Sequence, residues 1–237
     1  MFDSASPFRV VALPGTGSDA HFVRSAFRPA CAARDLELIA VEPDPRRVVA
    51  SYRACLDAAA QQGPVIAAGI SLGAAIALEW AAEHPDRVAG VITALPAWTG
   101  PDTAACPAAL SASTTAAQLR ADGLTAVLDR MRADSPRWLA DTLTRSWRAQ
   151  WPYLPEALEE AANYLWPSTE LLAGFERPVA VITAIDDPVH PVTVAEQWAA
   201  LIPHAHLHRI TLDELGADPA ILGHAGLGSF DWVREFA

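Results

Sequence analysis

Residues Val65 to Pro85 read VIAAGISLGAAIALEWAAEHP, and the turn Gly69-Ile70-Ser71-Leu72-Gly73 at their centre decides how the chain is to be read. To its left, VIAAGI is an unbroken apolar run, the pattern of a strand buried on both faces as parallel sheets require. To its right, Leu72, Ile76 and Trp80 recur one turn apart, a helix face that Pro85 ends. Ser71 therefore stands at the carboxyl end of a strand, where open parallel sheets collect ligands.

The flanking glycines have a chemical reading. A serine held on so sharp a turn is forced into an unfavourable backbone conformation, and side chains two residues to either side would strike neighbouring backbone. Gly69 and Gly73 remove those collisions. The Leu72 N–H opens the following helix and is placed to meet a developing negative charge. The pattern G-x-S-x-G alone would arise by chance in roughly one chain in twelve at this length, so the reading depends on finding partners.

Outward from this turn, apolar runs at 8–13, 36–41, 88–95, 179–185 and 206–212 predict five further strands. Helical segments are expected near 21–34, 46–62, 72–84 and 192–202, with a last one near 225–236. Strand and helix in alternation predict an α/β fold with right-handed crossovers. Residues 98–172 break the rhythm: they hold no strand-like run, five tryptophans and six prolines. A structureless loop of that length is implausible, so three to five short helices are expected there, inserted as a cap. Residues 1–97 and 173–237 would form the core.

The bulk composition narrows the function classes. The chain has 237 residues, 51% hydrophobic and 19% charged, with a net charge of -11 and arginine as its sole strongly basic residue. That balance gives no electrostatic footprint for nucleic acid or an anionic membrane. The segment MFDSASPFRVVALPG lacks the features of a signal peptide, and no apolar run is long enough to span a bilayer. Cys31, Cys55 and Cys106 are scattered and odd in number, so reduced thiols and a cytoplasmic setting are expected.

Serine is a weak nucleophile until a base takes its proton and a carboxylate orients that base. Strand 179–185 runs into Asp186-Asp187-Pro188-Val189-His190-Pro191, which supplies two candidate acids. Of seven histidines, His21 and His84 flank the wrong strands, and His84 fits a helix exit. His190 is three residues from Asp187 at an expected helix start and is read as lining the entrance. His204, His206 and His208 alternate as a metal cluster would, but an edge strand explains them, and no metal site is expected. His224, in Leu222-Gly223-His224-Ala225-Gly226, follows a loop after the last strand and precedes the final helix. From there an imidazole could swing over the sheet toward Ser71, and loops commonly carry mobile catalytic groups. The loop after the first strand, Leu13-Pro14-Gly15-Thr16-Gly17-Ser18-Asp19, can turn back over the site. It lacks the third glycine of a dinucleotide fingerprint, and Asp19 is placed to cap the next helix.

With these pieces in order the chain resembles an α/β-hydrolase-fold serine hydrolase, esterase-like, over nearly its whole length. The resemblance implies the chain order serine, acid, histidine. Within it Ser71 is the nucleophile, Asp187 the acid because Pro191 follows four residues later, and His224 the base; Asp186 stays open as the alternative acid. The amides of Thr16 and Leu72 would form the oxyanion hole, with Gly15 and Trp98 at the substrate. Three departures stand out: Pro14-Gly15 where the family often has His-Gly, Ala184 where a glycine usually precedes the acid, and too few residues before the first strand for the two leading antiparallel strands. A three-layer sandwich follows, with a mostly parallel sheet of about six strands and the cap inserted before the penultimate one.

The implied reaction is transfer of an acyl group from a small or medium hydrophobic, ester-like substrate to water, without a cofactor. Two other classes share the pattern: a cofactor-free lyase or oxidative variant, and a non-catalytic ligand-binding protein on the same fold. The substrate and the oligomeric state are not legible.

Overall fold

Along β1 (Arg9–Leu13) successive side chains leave for opposite faces of a sheet, as the two-residue period of a strand requires. Val10 and Ala12 join one buried cluster, Val11 and Leu13 the other. The strand opened by the quoted stretch, β3 (Val65–Ile70), divides its residues in the same way and is buried throughout. This two-sided burial is what the unbroken apolar runs encode.

The computed structural model describes residues 8–230. The other strands are β2 (Glu37–Ala40), β4 (Val88–Ala94), β5 (Val179–Ala184) and β6 (Ala205–Ile210). They form one six-stranded sheet in the order β2-β1-β3-β4-β5-β6, with every pairing parallel among the described residues. All six strands lie within one or two residues of their expected places. The order reverses between β1 and β3, where Leu13 pairs with Gly69, so the loops leaving these strands emerge side by side. Such a switch point is where open α/β sheets bind ligands.

Helices cover both faces. On one lie α1 (Ala20–Ala32), α9 (Leu212–Ala217) and α10 (Ile221–Gly228), with Phe27, Leu215, Leu222 and Leu227 in the cluster. On the other lie α2 (Val48–Ala60), α3 (Leu72–Glu83) and α8 (Val192–Leu201), with Tyr52, Leu56, Trp80 and Trp198. The last helix starts four residues earlier than expected; the remainder of that expected segment, 231–236, lies outside the described residues, as do residues 1–7 of the N-terminal segment.

Between β4 and β5 the chain forms α4 (Pro107–Asp134), α5 (Arg137–Gln150), α6 (Leu154–Ala162) and α7 (Thr169–Ala173). Not all are short. α4 is 28 residues long but broken at Gly123, whose φ of 78° and ψ of 169° suit glycine alone. These helices have a small core of their own, in which Leu119, Leu128, Trp147, Leu154 and Leu158 meet. Most of the tryptophans serve packing: Trp147 and Trp166 are buried, and Trp138 stacks on Phe22 of α1.

Candidate active site

Ser71 sits between β3 and α3 with φ 53° and ψ -117°, a conformation that costs about 1–3 kcal/mol and is kept only where surroundings enforce it. Those surroundings are backbone. The Ser71 N–H donates to Ala94 O at the end of β4 (2.8 Å). A Cβ on Gly69 would lie 2.0 Å from Gly73 O, and one on Gly73 would lie 2.6 Å from Leu13 O. The turn can close only if both positions are glycine.

Ser71 Oγ is 2.9 Å from His190 Nε2, and His190 Nδ1 is 2.7 Å from Asp187 Oδ2. The loop between β5 and α8 makes this possible. Asp187 Oδ1 accepts the N–H groups of Val189 (2.8 Å) and His190 (3.2 Å), which folds the chain back over its own carboxylate. The second carboxylate oxygen is then left facing the imidazole. With a proton on Nδ1 shared with Asp187, Nε2 is free to accept from the Ser71 hydroxyl. Burial alone would push the Asp187 carboxyl up, but the His190 ring and the two backbone donors outweigh it and hold it below its ordinary value.

The structure corrects the expectation for the base. His224 is not brought to Ser71: it lies inside α10 and is exposed to solvent. Its neighbours explain this. Gly223 is pressed on α1, where an added Cβ would lie 2.5 Å from Ala26 O, and Gly226 packs on Ile92 of β4. The small residues face α1 and the sheet, and His224 is turned outward. The place opposite Ser71 belongs to His190, which sequence reading set aside for being too near Asp187. That nearness, within Asp187-Pro188-Val189-His190-Pro191, was the signal. The two acids also separate: Asp186 is exposed and accepts the Leu212 N–H at 2.8 Å, so it anchors α9 and leaves the imidazole to Asp187.

Beside Ser71, the loop after β1 makes a tight turn. The Ser18 N–H donates to Gly15 O (3.0 Å) with Gly17 at φ 71°, the positive φ that a type II turn needs at its third residue. Gly15 abuts the serine, since a Cβ there would lie 3.5 Å from Ser71 Cβ. The backbone N–H groups of Thr16 and Leu72 donate to no acceptor among the described residues. Leu72 is the first residue of α3, where helix amides lack partners. These two donors follow Gly15 and Ser71 directly in the chain, the two residues that abut.

Trp98 follows the end of β4. Its indole donates to Asp102 O, and the residue lines a groove of about 580 Å³ with Thr169, Val194 and Gln197. A larger groove of about 830 Å³ has Arg53, Glu79, Glu83 and Glu160 on its walls. Neither groove is lined by Ser71, Asp187 or His190. Among the described residues no cluster of three or more histidine, cysteine or acidic side chains could hold a metal, and no helix is long and apolar enough to cross a membrane.

Residues 47–213 match the family model of the alpha/beta hydrolase fold, which is well over half of the chain. The chain belongs to the α/β-hydrolase fold family. Solved structures with the same fold include a thermophilic esterase from Thermogutta terrifontis, 16% identical, with a TM-score of 0.74 over 98% of this chain and 92% of that one. A hydrolase from Pseudomonas aeruginosa PA01 is 23% identical, with a TM-score of 0.71 over 97% and 92%. MenH from S. aureus is 15% identical, with a TM-score of 0.71 over 98% and 96%. At such identities the likeness establishes the fold alone. Comparison with the curated proteins gives no match.

Proposed function

We propose that this chain is a serine hydrolase that cleaves a small, hydrophobic, ester-like substrate through an acyl-enzyme on Ser71. The observation that carries the reading is the relay from Ser71 Oγ to His190 Nε2 to Asp187 Oδ2, with both distances under 3 Å. His190 takes the Ser71 proton as the serine attacks the carbonyl carbon. The amides of Thr16 and Leu72 hold the oxyanion, and His190 returns the proton to the departing alcohol. Water then enters, His190 takes its proton, and attack on the acyl carbon releases the acid and free Ser71. Asp187 fixes the tautomer and supports the imidazolium that forms in each half.

Helices α4 to α7 act as the cap, residues 98–172, over a core made of 1–97 and 173–237. Support for a cap comes from their separate small core and from the contacts of α5 with the loop after β1. The three cysteines are free, which suits a reducing, cytoplasmic setting. A fluorophosphonate probe tests the reading: it should label wild-type protein at Ser71 and leave Ser71→Ala unlabelled. Absence of labelling in the wild type would overturn the proposal, whereas labelling without ester turnover would move it to the non-hydrolytic class.

A further inference from the structure

The loop that carries Thr16 is fixed largely by a helix from the other side of the site. Arg145 of α5 makes a two-pronged contact with Asp19, Nε to Oδ2 at 2.9 Å and Nη2 to Oδ1 at 3.0 Å. Ser146 Oγ donates to Gly17 O at 2.6 Å, and Gln150 Nε2 donates to Ser18 O at 2.8 Å. The Trp147 indole nitrogen presses on Gly17, 2.8 Å from where a Cβ would stand. Three consecutive residues of the loop, 17 to 19, are thus each held by a polar side chain of one helix. From the opposite side, the buried Tyr52 hydroxyl donates to Pro14 O at 3.0 Å. Thr16, between these anchors, has no acceptor for its N–H among the described residues.

This seam is polar. Among the described residues, Ser18 Oγ, Trp147 Nε1 and Gln150 Oε1 are buried in it without a hydrogen-bond partner. The Arg145 side chain is 40% exposed, so solvent screens part of its ion pair, while its forked geometry fixes orientation. An interface selected for stability alone would bury apolar side chains here. A polar seam specifies position instead.

We propose that α5 is the jig of the oxyanion loop: Arg145, Ser146 and Gln150 are positioning residues that hold the Thr16 N–H in line with Ser71. The inference rests on the reading of Ser71 as nucleophile. Displacement of the loop by about 1 Å is enough to cost about 100-fold in rate. Docking of the inserted helices and catalytic competence are therefore one event.

The test compares wild type with Arg145→Met, Ser146→Ala and Gln150→Leu, using a short p-nitrophenyl ester and a phenylboronic acid that forms a tetrahedral adduct on the serine. The variants should lose about 10- to 100-fold in kcat with KM within about twofold, because the lost donor acts on the transition state. Boronate affinity should fall by a similar factor, and Arg145→Lys should recover part of the loss. Unchanged kcat and boronate affinity, with only a lowered melting temperature, would overturn the proposal. Should Arg145→Met not fold, the single-donor variants Ser146→Ala and Gln150→Leu decide it. Fluorophosphonate labelling of the wild type separates the two failures: an unlabelled Ser71 sinks the nucleophile reading, whereas a labelled one with indifferent α5 variants sinks this inference alone.

Discussion

His190 and Asp187 are three residues apart in sequence and 2.7 Å apart through Nδ1 and Oδ2, on one loop that also presents Nε2 to Ser71. On the proposed reading, the base and its orienting acid therefore reach the serine as a single unit. Their contribution can be separated from that of every other histidine. His190→Ala should lower ester turnover by at least about 100-fold, the smaller end of what a positioned general base supplies. His224→Ala should stay within about twofold of wild type in the same assay. The reverse pattern would return the base to α10.

Asp187→Asn replaces the orienting carboxylate with an amide that can present its N–H to the imidazole. The wrong tautomer is then favoured, and turnover should drop by about 10,000-fold with little change in substrate affinity. Asp186→Asn should leave kcat alone and register only in melting temperature, because Asp186 contacts the Leu212 amide. Steady-state kinetics on the pair distinguishes the two neighbours.

Acid should destabilise the fold through Asp19 and Asp187. At Asp19 burial works against ionisation, but Arg145 and the Phe22 N–H outweigh it and the carboxyl is held below its ordinary value, as at Asp187. For an acid with a lowered folded pKa, stability is complete above the unfolded value of 3.8 and is lost as pH falls through the lower folded value. Urea unfolding between pH 5 and about pH 2 should show this slope. Asp19→Asn should flatten part of it.

His208 predicts a second step of the same sign at higher pH. Burial and the neighbouring His206 lower its pKa from 6.5, and its Nε2 lies 2.7 Å from Ser229 Oγ. The folded protein then resists a proton that the unfolded chain accepts. Stability is complete above 6.5 and declines as pH falls toward the lower folded value. His208→Gln should remove this decline in melts taken from pH 8 to pH 5, and an unchanged slope would discount the pair.

Gly73→Ala tests the turn itself. A Cβ there would stand 2.6 Å from Leu13 O and 2.8 Å from Pro14 O, both backbone atoms that cannot swing away. A loss of about 3 kcal/mol, the upper end for overpacking, is expected in urea unfolding, together with loss of activity.

The strands were legible because burial on both faces writes itself as unbroken apolar runs, VIAAGI and VAVITA among them. The turn that holds Ser71 was legible because it tolerates only glycine at 69 and 73. The place of His190 was passed over, because its nearness to Asp187 becomes an advantage only once two backbone donors wrap Asp187 Oδ1 and turn the imidazole back. His224 misled because a loop was expected where Asp218-Pro219-Ala220 already leads into α10. The inserted helices were legible in number but not in their attachment, since α5 grips its loop through Arg145, Ser146 and Gln150, ordinary surface residues by type.

With acid and base sharing residues 187–190, every side chain in the relay is encoded before β6 begins. The chain from β6 onward supplies apolar burial through Ile210, Leu215, Leu222, Leu227 and Phe230. On the proposed reading, a substitution from β6 onward can reach the reaction only through packing, because no member of the relay lies there.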